Sequence, residues 1–140
     1  MTFDSVVFDL VERFPELNEA VWKWMEPDEF PAYMAFPELV DFLKEALASG
    51  CTADVLRVCE FVEEAARSGD RNLEDLVRIE VGEHLGWIEH EDRLTPYLGA
   101  ETKRICGYVP GLATQRLELR REREALTVGQ RVLQMLRRDG

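Results

Sequence analysis

The stretch Arg78–Asp92, RIEVGEHLGWIEHED, holds both histidines of the chain, His84 and His90, among five carboxylates, Glu80, Glu83, Glu89, Glu91 and Asp92. Imidazole and carboxylate groups ligate divalent metals and also serve as general acids and bases. Residues of these types fit a metal site, an acid–base pair, or an acidic surface laid over a core helix. On a helix, Glu80 and His84 lie one turn apart on one face. With His90 folded back they would make the three protein ligands of a metal-dependent hydrolase. The helical HExxH arrangement is absent, however, and His90 falls beyond the end of the helical pattern. The chain also has no Gly-rich phosphate loop, nucleophile elbow or Ser/His/Asp grouping. Acid–base hydrolysis would further need a pocket that perturbs one of the carboxylates. The acidic surface asks least of the stretch. Val81, Leu85 and Ile88 face inward, and Glu80, Glu83, Glu89, Glu91 and Asp92 surround Trp87 as a partner-binding patch with no catalytic residue, metal or cofactor. Glu89, Glu91 and Asp92 follow a helix end, where negative charge opposes the helix dipole. Acids placed against that local cost point to a partner.

The elements that carry this patch are helices. Phe3, Val6, Val7, Leu10, Val11 and Phe14 recur at i, i+3, i+4, i+7, i+8 and i+11, with Thr2 or Asp4 as the N-cap. Leu17, Ala20, Val21 and Trp24 repeat the pattern after Pro15. Pro27 and Pro31 break the chain, so 26–36 reads as an irregular loop pinned by Phe30, Tyr33, Met34 and Phe36. Pro37 opens a third helix with Phe36, Leu39, Val40, Leu43 and Leu47 inward, ended by Gly50. Thr52 caps a fourth with Val55, Leu56, Cys59, Val62 and Ala66 inward, ended by Gly69. The endings FLKEALASG and FVEEAARSG match at five of nine positions, 19 residues apart, as two units of a helical repeat or two similar caps would. Asn72 caps a fifth helix with Leu73, Leu76, Val77, Val81, Leu85 and Ile88 inward, and Gly82 there admits a close neighbour. A short helix at Ala100–Tyr108 buries Ile105. Thr114 caps a long last helix with Leu119, Leu126, Val132, Leu133 and Leu136 inward. Its outer face is Arg-rich: Arg116, Arg120, Arg121, Arg123, Arg131, Arg137 and Arg138. No segment alternates as a strand. The prediction is an all-α fold of six to seven helices packed as antiparallel hairpins, a HEAT-like helical bundle. Residues 1–112 form an acidic helical domain, and 113–140 an Arg-rich helix packed on it.

Composition narrows the function. In 140 residues, 46% hydrophobic content supports one packed core. No apolar run approaches the ~20 residues of a membrane span, and the N-terminus lacks a signal-peptide pattern, so a cytoplasmic protein is expected. Cys51, Cys59 and Cys106 form no CxxC, and their odd number argues against a disulfide framework. The net charge of −11 is unevenly placed: −16 over residues 1–92 and +5 over 93–140. An acidic body repels nucleic acid and suits a basic protein partner, or contact between two copies through the C-terminal helix.

The segments VCEFVEEAARSGDRNLEDLVRIEVGEHL and LTPYLGAETKRI resemble a bacterial family of small all-helical proteins. Glu83 and Leu85 match its Glu-x-Leu, Leu98 and Gly99 its Leu-Gly, and LVERFPEL its start. The likeness covers roughly residues 7–108 and leaves out the Arg-rich helix. Members of that family are regarded as immunity proteins of bacterial toxin systems, so the resemblance implies a non-enzymatic protein that neutralises a toxin domain by direct binding. It carries no catalytic residues. A homodimeric adaptor or regulatory helical protein is the alternative, and a hydrolase using Glu80, His84 and His90 a second one.

Overall fold

The computed structural model describes residues 1–23 and 31–138. Helix α1 (Val6–Arg13) leads through a 3-10 turn (Pro15–Leu17) into α2 (Asn18–Lys23), followed by α3 (Pro31–Ser49) and α4 (Thr52–Ala66). Helix α5 (Arg71–Leu76) continues through a π turn (Val77–Val81) into α6 (Gly82–Leu85). Then come α7 (Glu91–Leu94), a 3-10 turn (Thr95–Tyr97), α8 (Ala100–Cys106) and α9 (Leu112–Arg138). The described residues contain no strand, so the fold is all-α as expected. The helical segments outnumber the expected six to seven because the region 71–97 is cut into short pieces.

The core is one apolar cluster contributed by α1 to α7, with Leu98 and Ala113 at its edge. The α1 stripe is as predicted: Val6, Val7, Leu10 and Phe14 are buried, and Phe3 and Val11 pack against them. Phe14 meets Phe42 and Phe61 edge-on at 5.6 and 5.8 Å. Arg57 of α4 spans this corner. Its guanidinium donates to the Arg13 carbonyl at 2.8 Å and to Glu16 and Asp54 at 2.9 Å, and lies 4.8 Å over the Phe14 ring. Packing a planar cation on the ring while both of its terminal nitrogens find acceptors fixes α1 against α4.

Several expectations are corrected here. Helix α3 starts at Pro31 and runs through Pro37, so 31–36 is helical rather than part of a loop. Ala32, Ala35 and Phe36 are buried, and that burial offsets the ~3 kcal/mol cost of an internal proline. Trp24, Pro27 and Phe30 lie outside the described residues. In α4, Leu56 is exposed, while Val58, Phe61 and Ala65 are buried beside the predicted Val55, Cys59, Val62 and Ala66. The cause is that α4 contacts α3, α5 and α8 and so hides a face wider than one stripe. Cys51, not Thr52, is its N-cap residue, and the Cys51 thiol donates to Asp54 at 3.2 Å. Gly50 and Gly69 both have positive φ, 73° and 74°, so the shared -SG endings serve one capping geometry. The six predicted inward residues from Leu73 to Ile88 are all buried. On a straight 3.6-residue helix that series would drift around the axis; the π turn, with its wider winding, returns it to one face. Opposite Gly82 stands Cys106 of α8, spaced so that an added Cβ would be in ordinary contact at 3.5 Å. Ile105 is half-buried, and Thr102 is the buried residue of α8.

Carboxylates close two of the helix starts, one local and one from elsewhere in the fold. Asp70, rather than Asn72, caps α5, accepting from the Asn72 and Leu73 amides at 3.0 and 3.3 Å. Its other oxygen accepts from Phe3 N at 2.9 Å and ties down the N-terminus. Glu63 of α4 accepts from the Glu101 and Thr102 amides at 2.8 and 3.1 Å and so caps α8. A Cβ on Gly99 would collide with that Glu63 carboxylate. Gly99→Ala should therefore displace the cap and cost about 1–2 kcal/mol in urea unfolding. In a Glu63→Ala background the same change should cost under about 0.5 kcal/mol, because the obstruction is gone. Equal costs in both backgrounds would refute this account of Gly99.

Candidate functional site

The sequence placed Glu80, Glu83, Trp87, Glu89, Glu91 and Asp92 on one acidic surface. The structure divides them. Glu91 is only 3% exposed and does not belong to any surface. His90, with φ 58°, is a left-handed joint that turns the chain so that Glu91 points inward. Glu91 Oε2 accepts from the Tyr108 hydroxyl at 2.6 Å and the Gly111 amide at 3.2 Å. Its Oε1 accepts from the Thr114 amide at 3.1 Å and the Thr114 hydroxyl at 2.8 Å. The carboxylate thus sits at the N-terminus of α9, satisfying amides that the helix cannot bond itself and opposing the positive end of its dipole. Burial pushes its pKa up, but the hydrogen bonds from Tyr108, Thr114 and Gly111 outweigh burial, and the net direction is downward. Tyr108, half-buried and bonded to the carboxylate, is pushed up to about 12. Thr114 is therefore not the N-cap of the last helix, as predicted, but a donor within its first turn.

Trp87 is half exposed. Its ring is flanked by Arg116 and Arg120 of α9, whose guanidinium carbons lie 5.6 and 5.9 Å from it. Arg116 also donates to the Gly86 carbonyl at 3.2 Å, at the end of α6. These two arginines, read from sequence as part of an outer face, hold the root of α9. A shallow cleft beside them is lined by Lys44, Trp87, Glu89, His90, Leu117 and Arg120. Glu89 is exposed and lies 3.8 Å from Arg121. Glu83 and Asp92 are exposed as well. Glu80 is half-buried, and desolvation, with Glu83 nearby, raises its carboxyl above the usual range.

The histidines do not converge. His84 Nδ1 is 3.1 Å from Lys44 Nζ on α3. Burial, then Lys44, lowers its pKa against the pull of Asp41 and Glu83. An ammonium beside the imidazole is a poor setting for a cation ligand. Among the described residues, no group of three His, Cys, Asp or Glu side chains is arranged to hold a metal ion. Burial raises the thiols of Cys59 and Cys106 to about 12 and about 11. Both are thus far from the thiolate form a nucleophile needs.

Beyond Arg121, which still reaches Glu89, α9 leaves the body. Leu119, Leu126, Val132, Leu133 and Leu136, predicted to face inward, are all exposed. Only its root is covered: Ala113 is buried, and Leu112, Arg116 and Leu117 are half-buried. The charged run Glu118–Glu124 explains the departure, because it has too little apolar surface to lie on a core. No described helix is long and apolar enough to cross a membrane.

The family described as Domain of unknown function (DUF7674) matches residues 8–108, and the chain belongs to it. No curated protein and no solved structure matches the chain. The matched span includes the Glu-x-Leu and Leu-Gly pairs and stops short of α9.

Replacing Glu91 by Gln sets an amide NH2 against backbone and hydroxyl donors. The expected loss is about 2–4 kcal/mol at pH 7 by urea unfolding. A folded pKa below the unfolded one gives stability that is present above about pH 4.3 and lost as pH falls through the folded value. The gap between wild type and Glu91→Gln should accordingly narrow below about pH 4. A gap that stays constant or widens there would contradict this role.

Proposed function

We propose that this member of the family is a non-enzymatic protein-binding module of the immunity type. It neutralises a basic bacterial toxin domain in the cytoplasm by covering it directly. The observation that carries the reading is Trp87. It stays half exposed although two arginines flank it, and the exposed Glu83, Glu89 and Asp92 lie close to it in the chain. Exposed aromatics anchor interfaces, and surrounding charge steers and orients the partner. Glu80 adds support. A carboxylate half-buried beside a like charge costs the free protein stability, and a basic partner would relieve that cost. Glu91 is excluded from the surface because its oxygens are already engaged. The hydrolase reading gains nothing from the positions of His84 and His90. The homodimeric adaptor reading keeps one specific observation in its favour, the exposed apolar face of α9.

The test is co-purification with proteins encoded beside the gene, followed by calorimetric titration of the partner obtained. Trp87→Ala should weaken binding at least ~30-fold, the effect of losing an aromatic anchor of ~2 kcal/mol. Glu83→Lys, Glu89→Lys and Asp92→Lys combined should weaken it further, chiefly by slowing association at low salt. Unchanged low-salt affinity in both variants would remove this surface from the account.

A further inference from the structure

The distal part of α9 has a face with no cover among the described residues, and its composition says what would cover it. From Ala125 onward the helix changes character. Leu126, Val128, Val132, Leu133, Met135 and Leu136 are between about half and two-thirds exposed. At the helical rotation per residue they fall, with Ala125 and Gly129, on one half of the circumference. Thr127, Gln130, Arg131, Gln134 and Arg137 take the other half. No acidic residue occurs from Ala125 to Arg138. An apolar face this long on a soluble helix marks an interaction surface. The described residues of the body do not supply the cover. Helix α9 is continuous, and the ~17 residues past Arg121 extend roughly 25 Å along its axis.

Two such helices laid on each other would bring arginines together with no acid between Ala125 and Arg138 to offset them. The complement lies on the acidic body. There, exposed apolar surface and exposed acids coincide at the α1–α2 ledge. The Phe8 and Trp22 rings are 5.9 Å apart, with Phe8 65% exposed. Asp4 and Glu12 stand four residues either side of Phe8, and Glu19 three before Trp22; all three are exposed. We propose that the distal half of α9 docks on the α1–α2 ledge of a second copy of this chain. Its leucines cover the Phe8–Trp22 pair, and Arg131 and Arg137 face Asp4, Glu12 and Glu19. This contact is independent of the surface around Trp87.

The test is sedimentation of the full chain over about 1–300 µM, a range that brackets weak dimers. It is run at about 0.05 M and about 0.5 M salt, on either side of physiological screening. The expected result is a reversible dimer that weakens at least tenfold in high salt. Leu126→Gln with Leu133→Gln should abolish it while leaving the helical circular dichroism unchanged, since both residues are exposed. Glu12→Lys with Glu19→Lys should weaken the dimer at least tenfold, as should Arg131→Glu with Arg137→Glu. Combining the two charge reversals should restore most of the affinity. A monomer at every concentration would overturn the proposal. So would a dimer that strengthens with salt and ignores Glu12 and Glu19, because that is α9 pairing with itself. Binding of the monomer to phosphatidylglycerol vesicles through Leu126 and Leu133 would overturn it in favour of a lipid surface.

Discussion

The buried carboxylate of Glu91 is the constraint on which the arrangement of the C-terminal half depends. A carboxylate with four donors on two oxygens is saturated, and each donor comes from a segment that would otherwise be free to move. Tyr108 follows α8, Gly111 precedes α9, and Thr114 lies in the first turn of α9. Thr95 adds a further tie, its hydroxyl 2.8 Å from that of Tyr108. Removing an ionised group from water is costly unless its hydrogen bonds are replaced. Here they are replaced by amides at a helix start, which carry partial positive charge. Arg116 and Arg120 then lie against Trp87, and a charged helix with little apolar surface at its base leaves the body in one direction.

The same device recurs elsewhere in the fold. Glu63 caps α8 and Asp70 caps α5, and each also couples its helix to a distant segment. The strongly acidic composition therefore has two parts. A few carboxylates are fixed in place and bonded to backbone amides, where they set helix directions. The remainder are solvated and give the body its negative field. Only the second group is available to a partner. A variant that weakens binding by disturbing Glu91 would report on the position of α9 and not on contact.

Much of the fold is legible in the sequence. The stripes of α1, α3 and the α5–α6 run are read from apolar spacing, because burial and helical period select the same residues. Gly50 and Gly69 announce their helix ends. The site is less legible, since composition cannot tell a solvated carboxylate from a capping one. Spacing does not reveal Glu91 either: the break at His90 separates it from the stripe that ends at Ile88, and within α7 it shares a face only with Leu94. The left-handed turn at His90 has no signal in the sequence, because it is set by the contacts around it. Pro37 misleads for the opposite reason, as the local rule is overridden by the burial of Phe36 and Leu39. In α9 the leucine spacing is correctly read as amphipathic, but amphipathicity does not say whether the apolar face meets the chain's own core or another surface. The charged run 118–124 decides that, by carrying the rest of the helix out of reach.

The central claim is that Glu91 fixes the root of α9 to the body. Amide hydrogen exchange compared between wild type and Glu91→Gln at pH 7 tests it most directly. The account predicts that protection falls in residues 109–117, where the carboxylate's two amide donors lie, while the amides of α3 and α4 keep their relative protection. Unchanged protection at 109–117, or a uniform loss across the whole chain, would contradict it.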